Sequence, residues 1–256
     1  MSHIAARPPL PYTVIVPTAY GQMILNRNDI NQTNMLFKSG IAVDHKEIML
    51  LANIFRLLGP GLTFLDVGAN FGCYSLALSP FVGPGGRVHA FEPQRILHNM
   101  VAGTMALNSV SNVWCHNVAV GDREGQVEIP QFDYSSMLNF GSVEFGPEQT
   151  EALSQQRAHD PDRIEYVRVA TIDSFAFPRA DVMKVDVEGM ELAAFSGAAD
   201  TIRRCRPVIF VEWIKVGHAP LEEQISAFGY RVHLVGGNLL CVPAELTGLI
   251  RIDDPQ

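Results

Sequence analysis

The chain has 256 residues, 47% of them hydrophobic, with 19 Lys+Arg against 27 Asp+Glu for a formal net charge of −8. A chain of this length buries about 70–75% of its unfolded surface and needs no staple, which favours one large α/β domain over two small ones. Its charge supplies no global field toward nucleic acid or an anionic membrane, and Cys73, Cys115, Cys205 and Cys241 form no C-x-x-C pair that would hold zinc or frame disulfides.

Four prolines between Ala5 and Pro17 interrupt any apolar leader, and the longest helical apolar stretch, 48–58, contains Arg56 and is too short to cross a bilayer. A cytoplasmic protein without a membrane partner is therefore expected. Asp44 stands as a helix N-cap with Glu47 three residues on. Ile48, Leu51, Phe55 and Leu58 follow at helical spacing until Gly59-Pro60-Gly61 ends the run. Residues 1–58 read as an N-terminal segment with covering helices, and 59–256 as the main domain.

That domain alternates regularly. Strands are predicted at 63–67, 87–91, 113–120, 182–187 and 208–213, and helices at 70–81, 95–107 and 192–203. Such spacing implies right-handed crossovers and a parallel sheet covered on both faces. Arg203, Arg204 and Arg206 suit a helix C-terminus, where cations complement the macrodipole. The end departs from the alternation: 230–235 and 239–242 flank Gly236-Gly237-Asn238, an antiparallel hairpin signal. The polar stretch 131–163 is longer than an ordinary connection and reads as an insertion, either a lid-like loop or a surface excursion.

The first strand-to-helix junction carries Asp66-Val67-Gly68-Ala69-Asn70-Phe71-Gly72. Gly68 and Gly72 let the backbone approach a ligand, and Asn70 can cap the helix while facing that ligand. A dinucleotide fingerprint would need a second glycine where Asn70 stands. Asp66 adds a carboxylate that would repel a phosphate and suit a cation. Glu92 closes the next strand, placed to accept both hydroxyls of a ribose, with Pro93 restricting the backbone beside it. Together these features describe a pocket for an adenosine bearing positive charge and no phosphate, and S-adenosylmethionine meets that description.

Those two blocks, with Asn117-Val118-Ala119-Val120-Gly121-Asp122, Ala170-Thr171-Ile172-Asp173, Lys184-Val185-Asp186-Val187-Glu188-Gly189-Met190-Glu191 and Pro207-Val208-Ile209-Phe210-Val211-Glu212, resemble the FkbM-type methyltransferases in order and content. The resemblance covers roughly 59–213. It implies an α/β, Rossmann-like seven-stranded methyltransferase sheet, mostly parallel and ending in an antiparallel hairpin, with helices on both faces. It also implies S-adenosylmethionine as cofactor and a hydroxyl on a small metabolite, sugar or glycan as acceptor. Carried over by residue, Asp66, Gly68, Asn70 and Gly72 line the methionine and ribose side, Glu92 takes the ribose hydroxyls with Pro93 beside it, and Asn117 to Ala119 lie near the adenine.

An alcohol nucleophile needs a base or a metal, and candidates belong at the carboxyl ends of the central strands. Asp186 and Glu188 end the fourth core strand, Glu191 opens the following helix and Glu212 ends the fifth. One route has Asp186 or Glu188 accept the acceptor proton; the less favoured route gathers these oxygens around a divalent cation. Glu191 equally suits a helix N-terminus as a solvated residue. His218 is a further base candidate against the plainer reading of a surface histidine. Lys184 either pairs with an acid or lies at a strand edge, and Trp213 either stacks on an acceptor or packs in the core. N-methylation of a similar acceptor and a non-catalytic ligand-binding protein are the alternatives. A nicotinamide oxidoreductase is disfavoured by Asn70 and by the terminal hairpin.

Overall fold

The computed structural model describes residues 10–130, 132–144 and 164–250. An antiparallel hairpin of β1 (Thr13–Thr18) and β2 (Gly21–Asn26) opens the chain, followed by α1 (Gln32–Ser39) and α2 (His45–Leu58). β3 (Thr63–Val67), α3 (Cys73–Leu78), β4 (Arg87–Phe91), α4 (Arg95–Leu107) and β5 (Val113–His116) then alternate. β6 (Ala119–Val120), β7 (Gly125–Pro130) and β8 (Ile164–Ala170) form a small separate sheet. β9 (Val182–Val185), α5 (Glu191–Ser196), α6 (Ala199–Cys205), β10 (Val208–Glu212), α7 (His218–Ser226), β11 (Tyr230–Val235) and β12 (Asn238–Pro243) complete the order.

The main sheet has seven strands in the order β11-β12-β10-β9-β3-β4-β5. The five from β10 to β5 run parallel, while β12 pairs antiparallel with both β10 and β11. This is the mostly parallel seven-stranded sheet with a terminal antiparallel hairpin that the resemblance implies. Alternate residues of the central strands feed two cores, as both-face burial requires. Phe64, Val182 and Phe210 pack with Leu51 and Phe55 of α2 and Val101 of α4 on one face. Leu65, Met183, Val185 and Ile209 pack with Phe195, Ile202 and Ile225 on the other.

The structure corrects three predicted elements. The helix expected over 70–81 is α3 alone, because Gly68, Asn70 and Gly72 all adopt positive φ (84°, 50° and 81°) and no helix can start before Cys73. The helix expected over 192–203 is two. Gly197 lies so close to the carbonyl of Gly121 that a Cβ would sit 2.0 Å from its oxygen, and Asp173 starts α6 afresh by accepting from the amides of Asp200 (3.0 Å) and Thr201 (2.8 Å). The strand expected over 113–120 divides at Asn117, so that β5 stays in the main sheet and β6 pairs with β8.

The first hairpin and, in the small sheet, β7 and β8 have no counterpart in the predicted elements. β2 docks on α4, with Ile24 N donating to Thr104 Oγ1 (2.9 Å) and Gln22 N to Asn108 Oδ1 (2.9 Å). Asn108 is thus a tie between elements as well as a turn residue. Of the predicted insertion, residues 132–144 run beside this hairpin: Asn26 and Asn28 both donate to the carbonyl of Tyr134 (3.0 Å each), and Asp29 accepts from the amide of Phe140 (3.3 Å). Residue 131 and residues 145–163 lie outside the described residues. Among the described residues no helix is long and apolar enough to cross a membrane.

Candidate functional site

The carboxyl ends of β3, β4 and β9 open into a cavity of about 530 Å³. Gly68 and Asn70 of the β3 loop, Glu92, Pro93 and Gln94 after β4, Val118 and Ala119 after β5, and Asp186 and Glu188 after β9 line it. Residues 132–144 roof it with Gly141 and Val143. The roof is fastened by Gln94 Nε2, which donates to Phe140 O at 2.7 Å. Gly141 passes so close to the Asn70 amide that a Cβ there would lie 2.4 Å from Nδ2.

Glu92 is 5% exposed, and its two oxygens accept backbone amides from Gln94 (2.8 Å) and Asn70 (2.8 Å). An ionised carboxylate offers about four lone-pair sites, so each oxygen keeps capacity for a hydroxyl donor from the cavity. Burial pushes its pKa up to about 8 despite those two amides. Asn70 Oδ1 and Gln94 Oε1 are buried without a hydrogen-bond partner among the described residues, which leaves two further acceptors at the cavity wall. A neutral nucleoside with hydroxyl and amino donors fits this acceptor-rich lining; a phosphate does not.

A second hollow of about 290 Å³ shares Asn70 and Asp186 with the first and is lined by Gln32, Asp44, Tyr74 and Lys184. The Asp44 carboxylate accepts from Gln32 Nε2 (2.9 Å) and is raised by burial, with Lys184 opposing. Asp44 occupies the N-cap position of α2 as predicted, but its side chain makes no capping hydrogen bond and belongs to this hollow instead. Lys184 is buried on β9, its Nζ donating to Gly68 O (2.7 Å) and lying 3.2 Å from Asp186 and 3.8 Å from Asp66. Burial alone would depress that ammonium; the carboxylates of Asp186 and Asp66 outweigh it and hold Lys184 charged. Lys184 therefore pairs with acids and is not at a strand edge.

Several predicted site residues stand elsewhere. Asp66 is fully buried, accepts from Ser75 Oγ (2.6 Å) and lines neither hollow; it meets the site only through Lys184. Gly68 lines the cavity, yet the demand for glycine there is structural, since a Cβ would fall 1.7 Å from the carbonyl oxygen of Asp186. Gly72 packs against Val101 and is not in the lining, and Asn70 does not cap α3, whose N-cap is Gly72. Asn117 is not in the cavity lining; its Nδ2 donates to the carbonyls of Glu92 (2.9 Å) and Pro93 (2.8 Å), so it fixes the loop that presents Glu92. Ala119 lies in the cavity lining.

At the acidic edge, Glu188 has positive φ (53°) and a pKa pushed up to about 9 by burial first and Asp186 next, with Lys215 opposing. Glu212 ends β10 behind this pair and is pushed up to about 8 by burial and Asp186. Glu191 is buried rather than solvated and braces the loop by accepting from the amides of Val187 (3.0 Å) and Gly189 (3.2 Å). His218 opens α7 with its side chain 57% exposed, 3.9 Å from Glu222 and edge-on to Trp213, outside the cavity lining. Trp213 donates to Gly236 O (3.3 Å) at the hairpin turn. Among the described residues no three His, Cys, Asp or Glu side chains converge to hold a metal ion.

Gln32, Tyr74, Gln94 and Lys215 are not among the predicted site residues, while the roof belongs to the 131–163 stretch expected as a lid-like loop or a surface excursion. Gln94, directly after Glu92-Pro93, carried a signal in its position alone. The others are brought in from distant sequence by the fold.

A family model described as the methyltransferase FkbM domain matches residues 66–232. Among solved structures the chain is similar to a methyltransferase FkbM from Methylobacillus flagellatus KT, at 18% identity and TM-score 0.49 over 72% of this chain and 44% of that one. It is also similar to a SAM dependent methyltransferase from Aquifex aeolicus, at 18% identity and TM-score 0.42 over 77% and 87%. A third is a SAM-dependent O-methyltransferase from Thermotoga maritima, at 12% identity and TM-score 0.41 over 90% and 71%. The chain thus spans less than half the length of the Methylobacillus protein. No curated protein matches it.

Proposed function

The chain belongs to the FkbM methyltransferase family, and we propose that it transfers a methyl group from S-adenosylmethionine to a hydroxyl of a small metabolite, sugar or glycan. The observation that carries this reading is one cavity with a buried, doubly amide-bound Glu92 at one end and the Asp186–Glu188 pair at the other. The cofactor supplies an electrophilic methyl on a sulfonium.

Glu92 is placed for the ribose hydroxyls and the apolar Val118–Ala119 wall for the base. The polar hollow suits the amino-acid end of the same molecule: Lys184 and Gln32 offer donors to a carboxylate, and Asp44 and Asp186 offer oxygens to an ammonium. Orientation supplies much of the rate in such an in-line displacement. Glu188, with Asp186 beside it, receives the acceptor proton, since the neighbouring Asp186 carboxylate raises the affinity of Glu188 for a proton. Pushed up to about 9, Glu188 in its carboxylate form is a stronger base than an ordinary glutamate.

Calorimetry with S-adenosylmethionine and S-adenosylhomocysteine, followed by transfer of labelled methyl to a panel of methyl glycosides, inositols, phenols and matched amines, tests the reading. Label on oxygen is the expected result. Label only on nitrogen would replace the acceptor class, and no binding of either nucleoside would remove the enzyme reading altogether.

A further inference from the structure

Lys215 lies outside both hollows, on the loop after β10, and no part of the proposed reaction uses it. Its Nζ is 3.1 Å from Glu144 Oε1 and 3.4 Å from Glu188 Oε2, and all three side chains are nearly buried. Glu144 directly follows the roof residues Gly141 and Val143, and Glu188 stands across the cavity after β9. One ammonium therefore bridges the roof to the acidic edge. Two features of Glu188 call for such a hold. Its backbone is left-handed (φ 53°), a conformation that a non-glycine residue keeps only where its surroundings hold it. Its Oε2 is buried without a hydrogen-bond partner among the described residues, so the nearby ammonium of Lys215 is the compensating charge for that oxygen.

The charged groups facing Glu188 are Asp186 from its own loop, Glu212 from the end of β10 and Lys215 from the loop that follows, with Glu144 of the roof beyond Lys215. Asp186 and Glu212 press Glu188 toward its protonated form, and Lys215 opposes them.

Resting on the reading of Glu188 as a proton acceptor, we propose that Lys215 is a positioning residue: it ties the roof to the acidic edge, keeps the Glu188 side chain turned into the cavity and lets Glu188 give up its proton at a lower pH than it otherwise would. The balance of the step is simple. The hydroxyl proton moves to the Glu188 carboxylate as the acceptor oxygen bonds to the methyl carbon and the carbon–sulfur bond breaks, its electron pair staying on sulfur.

The test reads the charge of Glu188 without needing the acceptor. In protein carrying ¹³C-carboxyl glutamate and saturated with S-adenosylhomocysteine, the Glu188 resonance is assigned by its disappearance in Glu188→Gln and followed across pH. Lys215→Met should move its midpoint upward by about 1–3 units, the range an opposite charge within a few ångströms commands. Lys215→Arg should return it close to the wild-type value, and affinity for S-adenosylhomocysteine should hold in both variants. A midpoint unmoved in Lys215→Met overturns the proposal. So does a loss of nucleoside affinity in that variant, which would make Lys215 a part of the cofactor pocket. Separately, Glu188→Gln with undiminished methyl transfer to an acceptor found in the panel above would remove the base itself and the proposal with it. Inactive Glu188→Gln beside an unmoved midpoint removes the role of Lys215 alone.

Discussion

Two aspartate and glutamate positions that look equivalent in the sequence do different work at the level of the single residue. Glu92 lines the cavity with its oxygens held by two amides, whereas Asp66 is sealed below it against Ser75 and Lys184. Glu92→Ala should therefore weaken S-adenosylhomocysteine by about 1.5–3 kcal/mol, the value of hydrogen bonds to a charged group, as read by calorimetry. Asp66→Ala should instead destabilise the fold by about 3–5 kcal/mol in denaturant unfolding, because it leaves the buried Lys184 ammonium with one carboxylate fewer. An Asp66 variant that unfolds like wild type yet loses the nucleoside would return Asp66 to the ligand and overturn this division.

At the level of elements, the N-terminal segment emerges as part of the site. Gln32 and Asp44 line the polar hollow with Lys184, although both precede the residues that the family domain matches. Comparing S-adenosylhomocysteine with 5′-methylthioadenosine, which lacks the amino-acid end, isolates that hollow. Asp44→Asn should weaken the former roughly tenfold or more, through the loss of a charge-assisted contact, and leave the latter unchanged. Equal loss for both ligands would mean that Asp44 only shapes the fold. The sequence made the parallel strands, α2 and the terminal hairpin legible because their periodicity and turn residues are local. It could not reveal that Asn117 fastens the Glu92 loop, or that Gly197 divides a helix against Gly121, since those constraints join residues far apart in the chain. Asn70 shows the same limit: its identity suggested a cap, but the positive φ of its loop delays the helix by three residues. His218 looked competent by type alone, and α7 carries it out of the cavity.

Across the whole molecule, three carboxylates, Glu92 buried and Glu188 and Glu212 partly buried, sit at one end of the sheet, with pKa values pushed up to about 8 for Glu92 and Glu212 and to about 9 for Glu188 by loss of solvent. In the unfolded chain each would titrate near its ordinary value of about 4.3. Between those limits the folded protein holds protons that the unfolded chain has released, so the native state binds more protons and its stability falls as pH rises. The contribution is complete below about pH 4.3 and is lost progressively up to about pH 9. The melting temperature of the ligand-free protein, measured by scanning fluorimetry from pH 5 to pH 9, should accordingly decline. Glu188→Gln, which stays neutral throughout, should flatten the decline. Adding S-adenosylmethionine should raise the whole curve most at the alkaline end, because its positive charge and ribose hydroxyls favour the ionised carboxylates that the free protein can least tolerate. A melting temperature that is flat or rises over this range would mean that these acids are already ionised in the free protein, and that the site meets its cofactor as a fixed negative surface.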